Sequence, residues 1–301
     1  MNEPPPIDVS RARTTFKAIK TLDLSGAPMP LIDDLVNKLI TGYAVIAPIF
    51  EPGLRLFRAR ICDRPFHGRE LLYPPPLVTR LGRCNREGQP VLYCATSRQA
   101  AYFEIRPQLG DKVVVSEWQT TKPLRVNHIG YVPATFARLG TSRQYAGWSD
   151  APAVVPDSMT EIANTLADLF TEIVPPSEEY RYTLTAALAT KFMQGDLFDG
   201  IIYPTIVMRA NADNFALKPS FVDTGMRFVK AELATIDRVH EFSYDITVVD
   251  TAGRLLDGDA IDWKGRGDQW VIRENGGALV MVAQNGKWVA YDLRGNIVEP
   301  E

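Results

Sequence analysis

The chain has 301 residues, 46% of them hydrophobic and 23% charged, enough apolar mass for one large globular domain with additions or for two domains. A net charge of -3 and a pI near 5.8 leave no overall basic footprint for direct nucleic-acid binding. No apolar run reaches transmembrane length, and the start, Met1 to Pro6, lacks a basic segment followed by an apolar core, so a cytoplasmic protein with neither membrane span nor conventional secretion is expected.

In chain order, residues 1–12 are proline-rich and polar and read as a loose arm. Leu31, Ile32, Leu35, Val36, Leu39 and Ile40 recur at helical spacing and predict an amphipathic helix ending near Gly42. From Leu54 the pattern is strand, long loop, then a buried strand over 90–95. Thr96 with Gln99 has the form of a capping box opening a helix that runs to Arg106, where Pro107 stops it. Val113 to Val115 form a strand, and Trp118 and residues 124–126 extend that sheet. Residues 132–156 read as an irregular surface segment able to cover a site. Helices over 159–170 and 180–193 follow, with Ser177 as a candidate cap and Gly195 as a stop, and both cover a sheet face. A short buried strand over 200–203 delivers Pro204 and Thr205, and residues 228–235 finish that unit. Beyond Val239, strands over 244–249, 269–273, 278–282 and 287–292, with Asn275-Gly276 and Asn285-Gly286 as hairpin turns, predict a small antiparallel β meander. Its core would come from Trp263, Trp270, Trp288 and Tyr291, and it is a candidate surface for a partner strand or peptide. The expected division is 1–52 as arm and helical extension, 53–238 as the main domain and 239–301 as the meander, in an α+β fold.

Cys62, Cys84 and Cys94 fit neither a disulfide framework nor a zinc set and read as buried free thiols. His67, His128 and His240 are isolated, without metal spacing, and read as surface or turn residues, so no metal is expected. A Gly-rich dinucleotide fingerprint and a phosphate loop are both absent, which removes hydride transfer and nucleoside triphosphate hydrolysis.

The most informative stretch is Gly82-Arg83-Cys84-Asn85, then Tyr93, then Glu104, which sets a cation, an aromatic hydroxyl and a carboxylate on consecutive elements. Glu104 falls in the last turn of its helix, where the carbonyl end of the dipole disfavours a carboxylate by a few tenths of a kcal/mol. Local stability does not explain it. The segments Leu54 to Arg60, Pro74 to Pro76, Gly82 to Asn85, Gly88, Val91 to Tyr93, Ala100 to Glu104 and Gly110 to Val113 resemble the first half of the RES domain. Asp199 to Thr205 and Asn214 to Leu217 resemble its closing motif, with Thr205 where the family normally has serine. The likeness spans roughly residues 53–235.

That resemblance implies an ADP-ribosyltransferase-like mixed sheet core with flanking helices. It also implies a toxin that consumes NAD by cutting the nicotinamide-ribose bond, paired with an Xre-type helix-turn-helix antitoxin. NAD is then a substrate, with water or inorganic phosphate as acceptor. On that chemistry Glu104 stabilises the oxocarbenium-like centre and holds the ribose hydroxyls. Tyr93 clamps the nicotinamide ring, and Arg83, with Arg58 second, binds the pyrophosphate. Thr205 donates to the ribose or a phosphate, Asn85 and Asn214 either fix turns at the pocket edge or bond the amide, and Cys84 packs. ADP-ribosyl transfer to a protein and a degenerate binding module are the alternatives. The chain is longer than the family's short toxins.

Overall fold

The computed structural model describes residues 7–43, 47–141, 159–240 and 243–264, together with the strand backbones within 269–273, 278–284, 287–291 and 297–298. Helix α1 (Val9–Thr21) begins inside the segment that proline content marked as an arm. Asp8 caps it, accepting from the Arg11 N–H at 2.9 Å, and Ala12, Thr15 and Ile19 form one buried stripe. Arg11, Arg13, Lys17 and Lys20 dilute that stripe in the sequence, so the arm is corrected to helix from residue 9; residues 1–6 lie outside the description. Helix α2 (Met29–Ile40) is the predicted amphipathic helix, burying Ile32, Val36 and Leu39, with Pro30 in the first turn, where its missing N–H costs nothing.

The strands are β1 (Ile49–Phe50), β2 (Arg55–Ile61), β3 (Leu92–Ala95), β4 (Lys112–Thr120), β5 (Leu124–His128), β6 (Gly200–Pro204), β7 (Asp213–Leu217), β8 (Met226–Val239), β9 (Ser243–Leu255) and β10 (Ile261–Trp263). Then come β11 (Gln269–Arg273), β12 (Ala278–Gln284), β13 (Lys287–Tyr291) and β14 (Ile297–Val298). The further helices are α3 (Arg98–Ile105), α4 (Pro133–Leu139), α5 (Thr160–Phe170), α6 (Tyr182–Phe192) and α7 (Pro219–Gly225). The strands lie side by side in the order β1-β5-β6-β7-β3-β2-β4-β8-β9-β11-β12-β13-β14, with β10 on β9. β5 and β6 run parallel and the other pairs antiparallel, so the protein is α+β with a mixed sheet and flanking helices. Among the described residues no helix is long and apolar enough to cross a membrane.

β3, β6 and β7 are apolar on both faces because both are covered. Ile201, Tyr203 and Ala216 pack with α1, α2, α5 and α6, whereas Leu92, Ile202, Phe215 and Leu217 pack with Phe221 and Val222 of α7. One joint in the sheet differs from the rest. β2 follows β4 through seven paired residues, but meets β3 at the single pair Phe57↔Ala95. Beyond that pair the two strands part, and the Arg58 guanidinium bonds the Tyr93 carbonyl at 3.0 Å.

Several local expectations are corrected. Ser97, not Thr96, caps α3, accepting from the Ala100 N–H at 3.1 Å, because the Thr96 hydroxyl already accepts from the Asp213 N–H on β7. Ser177 caps nothing: it sits in a 3-10 turn (Pro176–Arg181) whose backbone leads straight into α6. His128 is buried on β5, paired with Ile202 of β6, not at the surface, whereas His67 opens a short turn with Glu70 and His240 is exposed beside Asp245. Cys84 and Cys94 are buried free thiols, but Cys62 is only half-buried. Part of the segment 132–156 is α4, closed by Gly140 in the left-handed region; residues 142–158 lie outside the description.

The C-terminal strands are antiparallel as expected, and β11 pairs with β9 over five residues, so they continue the main sheet. Trp263 does not fill a meander core. Its Nε1 donates to the Pro65 carbonyl at 2.9 Å, and the Arg64 guanidinium lies 5.5 Å from its ring. The two Asn-Gly turns and the side chains of Trp270, Trp288 and Tyr291 lie outside the description.

Candidate active site

Where β2 and β3 part, a cavity of about 600 Å³ opens, walled by β2, β3, β7, the end of α3 and the chain entering α6. Its geometry starts at the turn before β3. Gly82 and Asn85 pair through their backbones, and the Tyr93 hydroxyl accepts from the Cys84 N–H at 2.7 Å and donates to Asn85 Oδ1 at 2.9 Å. Asn85 Nδ2 donates to the Arg80 and Arg86 carbonyls at 2.8 and 3.0 Å. A side chain at Gly82 would put Cβ 2.6 Å from Asn85 Oδ1 and 2.9 Å from the Tyr93 hydroxyl, so only glycine allows this approach. Burial pushes the Tyr93 hydroxyl well above its ordinary pKa, so it stays a donor.

The locked turn aims Arg83 across the cavity. Its Nη1 donates to the Phe170 carbonyl at 2.7 Å and its Nη2 to the Glu172 carbonyl at 2.9 Å, which caps the C-terminus of α5 with a cation. The guanidinium also lies 4.9 Å from the Tyr182 ring centre. Arg83 is therefore on the wall, with much of its donor capacity turned to backbone carbonyls.

Glu104 is held from several sides. Its Oε1 accepts from Asn214 Nδ2 at 2.6 Å, and it is hydrogen-bonded by Thr205, whose Oγ1 also accepts from the Met208 N–H at 3.0 Å. Neighbouring protein atoms crowd the carboxylate, but Glu104 is solvent-exposed on the cavity side. Burial raises its pKa, opposed by the Asn214 bond, the Arg83 charge, the Thr205 bond and the Arg106 charge. These partners supply what the helix end does not.

Arg58, Arg83, Tyr93, Glu104 and Asn214 thus share one wall. Thr205 stands behind Glu104, fully buried, and reaches the cavity only through it. Asn85 does not reach the cavity: both ends of its amide are used in the turn, so it positions Tyr93 and is not a ligand-binding residue in this geometry. Asn214, by contrast, fixes no turn but lies on β7 opposite Ala95 and Tyr203. Burial lowers Arg58 to about 10, still charged at neutral pH.

Other cavity residues went unassigned in the sequence. Tyr203 gave a weak signal, as part of the closing motif, but reads as a core residue of a buried strand. Tyr182 and Glu179 arrive from the turn before α6 and its start, and nothing local marks them. Arg106 follows Glu104 at the end of α3 with φ 47° and ψ 57°, a left-handed conformation that costs a non-glycine residue about 1–2 kcal/mol.

No curated protein matches the chain. The family model described as RES domain matches residues 55–245, more than half of the chain, from β2 into β9, and takes in every wall of the cavity; the chain belongs to the RES domain family.

Proposed function

We propose that this protein degrades NAD by cleaving the bond between nicotinamide and ribose. The observation that carries this reading is Glu104, kept in the last turn of a helix against the dipole, bonded by Asn214 and Thr205, and open to a nucleotide-sized cavity. A carboxylate so placed stabilises the positive charge that develops on the ribose as the bond breaks. The aromatic walls of Tyr93, Tyr182 and Tyr203 suit a flat cationic ring that leaves as a neutral amide, and Arg58 and Arg83 supply positive potential for phosphates. Thr205 in place of the family's serine keeps the hydroxyl that supports Glu104, so the replacement is compatible with activity. In this reading water or inorganic phosphate is the acceptor, and membership of the RES domain family supports a toxin that pairs with an Xre-type helix-turn-helix antitoxin.

The test is purified protein incubated with NAD, with and without inorganic phosphate, and followed by chromatography. Free nicotinamide is the expected product. Folded protein that releases none in either buffer removes this reading, and label transferred from NAD to a protein replaces it with ADP-ribosyl transfer.

A further inference from the structure

Arginines 58, 60, 83 and 106 line the cavity against the carboxylates of Glu104 and Glu179, so its wall favours an anion. The arginines are not equivalent. Arg83 donates to the carbonyls of Phe170 and Glu172, Arg58 to that of Tyr93 and Arg60 to that of Glu70. Among the described residues, the Arg106 guanidinium makes no such bond and no ion pair. Its backbone is equally unusual. Pro107 obliges the chain to leave the helix, and the left-handed position at a helix end normally holds glycine or asparagine, which adopt it with less strain. An arginine at a helix end also gains from the dipole, but it would do so in the preceding turn without left-handed strain. The strained backbone places an unbonded guanidinium two residues from Glu104, at the cavity edge.

We propose that Arg106 is the anion-binding residue of this cavity and holds a phosphoryl group of the bound ligand, while Arg83 chiefly positions the walls. The assignment rests on the NAD reading only for the identity of that ligand. A guanidinium with both edges free binds a phosphoryl group through paired charge-assisted hydrogen bonds, which an arginine already committed to carbonyls does less well. The phosphoryl group belongs either to the diphosphate of the nucleotide or to inorganic phosphate entering as acceptor.

The experiment compares parent and Arg106→Gly by calorimetric titration with ADP and with adenosine, by melting temperature, and by nicotinamide release over a range of inorganic phosphate. Arg106→Gly is expected to melt at or above the parent, since glycine takes the left-handed conformation freely, and to bind ADP about tenfold or more weakly with adenosine unaffected. Unchanged ADP affinity with loss of the phosphate dependence of turnover assigns the anion as inorganic phosphate. No change in either, or an equal loss for adenosine, overturns the proposal, as does a parent that neither binds ADP nor responds to phosphate. A parent that binds ADP through Arg106 but leaves NAD intact keeps this assignment and removes the NAD-degrading reading. NAD cleavage with ADP affinity and phosphate response unaltered by the substitution does the reverse. Arg106→Gln, which keeps a side chain at that backbone position, gives the same comparison if glycine loosens the helix end.

Discussion

Glu104 joins two effects of opposite sign. Burial and the helix C-terminus both disfavour its charge, whereas stabilising an oxocarbenium-like centre requires it. Because the carboxyl pKa is raised on folding, its contribution to stability is present at low pH and is lost as pH rises through the folded pKa. Glu104→Gln cannot ionise and still accepts from Asn214, so its melting temperature should match the parent's in acid and equal or exceed it at neutral pH. Nicotinamide release should fall on the order of a hundredfold or more, since the neutral amide cannot stabilise the developing charge. The acid limb of the parent's kcat/KM profile should lie above the ordinary glutamate range. A variant that melts well below the parent while turning over NAD normally would make Glu104 a structural residue.

At the scale of elements, α3 must hold still for Glu104 to stay aimed at the cavity. Ser97 caps its start, and Arg98 beside it is buried against Glu232 of β8 at 2.5 Å, with Lys230 also donating to that carboxylate at 3.0 Å. The helix is thereby tied to the far side of the sheet opening from Tyr93. Removing Arg98 leaves the buried Glu232 with only the half-exposed Lys230 as a charged partner, and Arg98→Met should lower stability by about 2–3 kcal/mol in urea unfolding, less than for a buried charge left with none. Replacing both members, Arg98→Met with Glu232→Met, should recover much of that loss. A cost for the single change below about 1 kcal/mol would mean that the pair is solvated and does not fasten the helix.

For the whole molecule, acid stability tests how firmly the sheet is closed. His128 of β5 is 6% exposed, and burial lowers its pKa from 6.5 to about 4, so the native imidazole is neutral at neutral pH. A depressed pKa means that the unfolded chain binds the proton more tightly. The associated stability is present above about 6.5 and lost as pH falls toward 4, about 3 kcal/mol in all. Urea unfolding across this range should fall more steeply for the parent than for His128→Gln. Identical slopes would place the imidazole in contact with water. Glu104 titrates with the opposite sign and offsets part of this loss.

Local order was legible in the sequence because it depends on neighbours along the chain. The period of Ile32, Val36 and Leu39 marks α2, the short apolar run marks β3, and Pro107 ends α3 so that Glu104 falls in its last turn. The cavity residues Arg58, Arg83, Tyr93, Glu104 and Asn214 were equally nameable, through the chemistry of their side chains and the motifs that contain them. Tertiary structure decided the rest. Thr96 and Ser97 both carry hydroxyls, and Ser97 becomes the cap because β7 occupies Thr96. Asn85 and Asn214 are the same residue type, yet one is closed into a turn and the other lines the cavity, because strand pairing carries Asn214 opposite Ala95. Arg83 meets carbonyls 87 and 89 residues away. Such contacts are set by sheet order, by the parting of β2 from β3 and by the reach of long side chains, none of which leaves a periodic trace in the sequence.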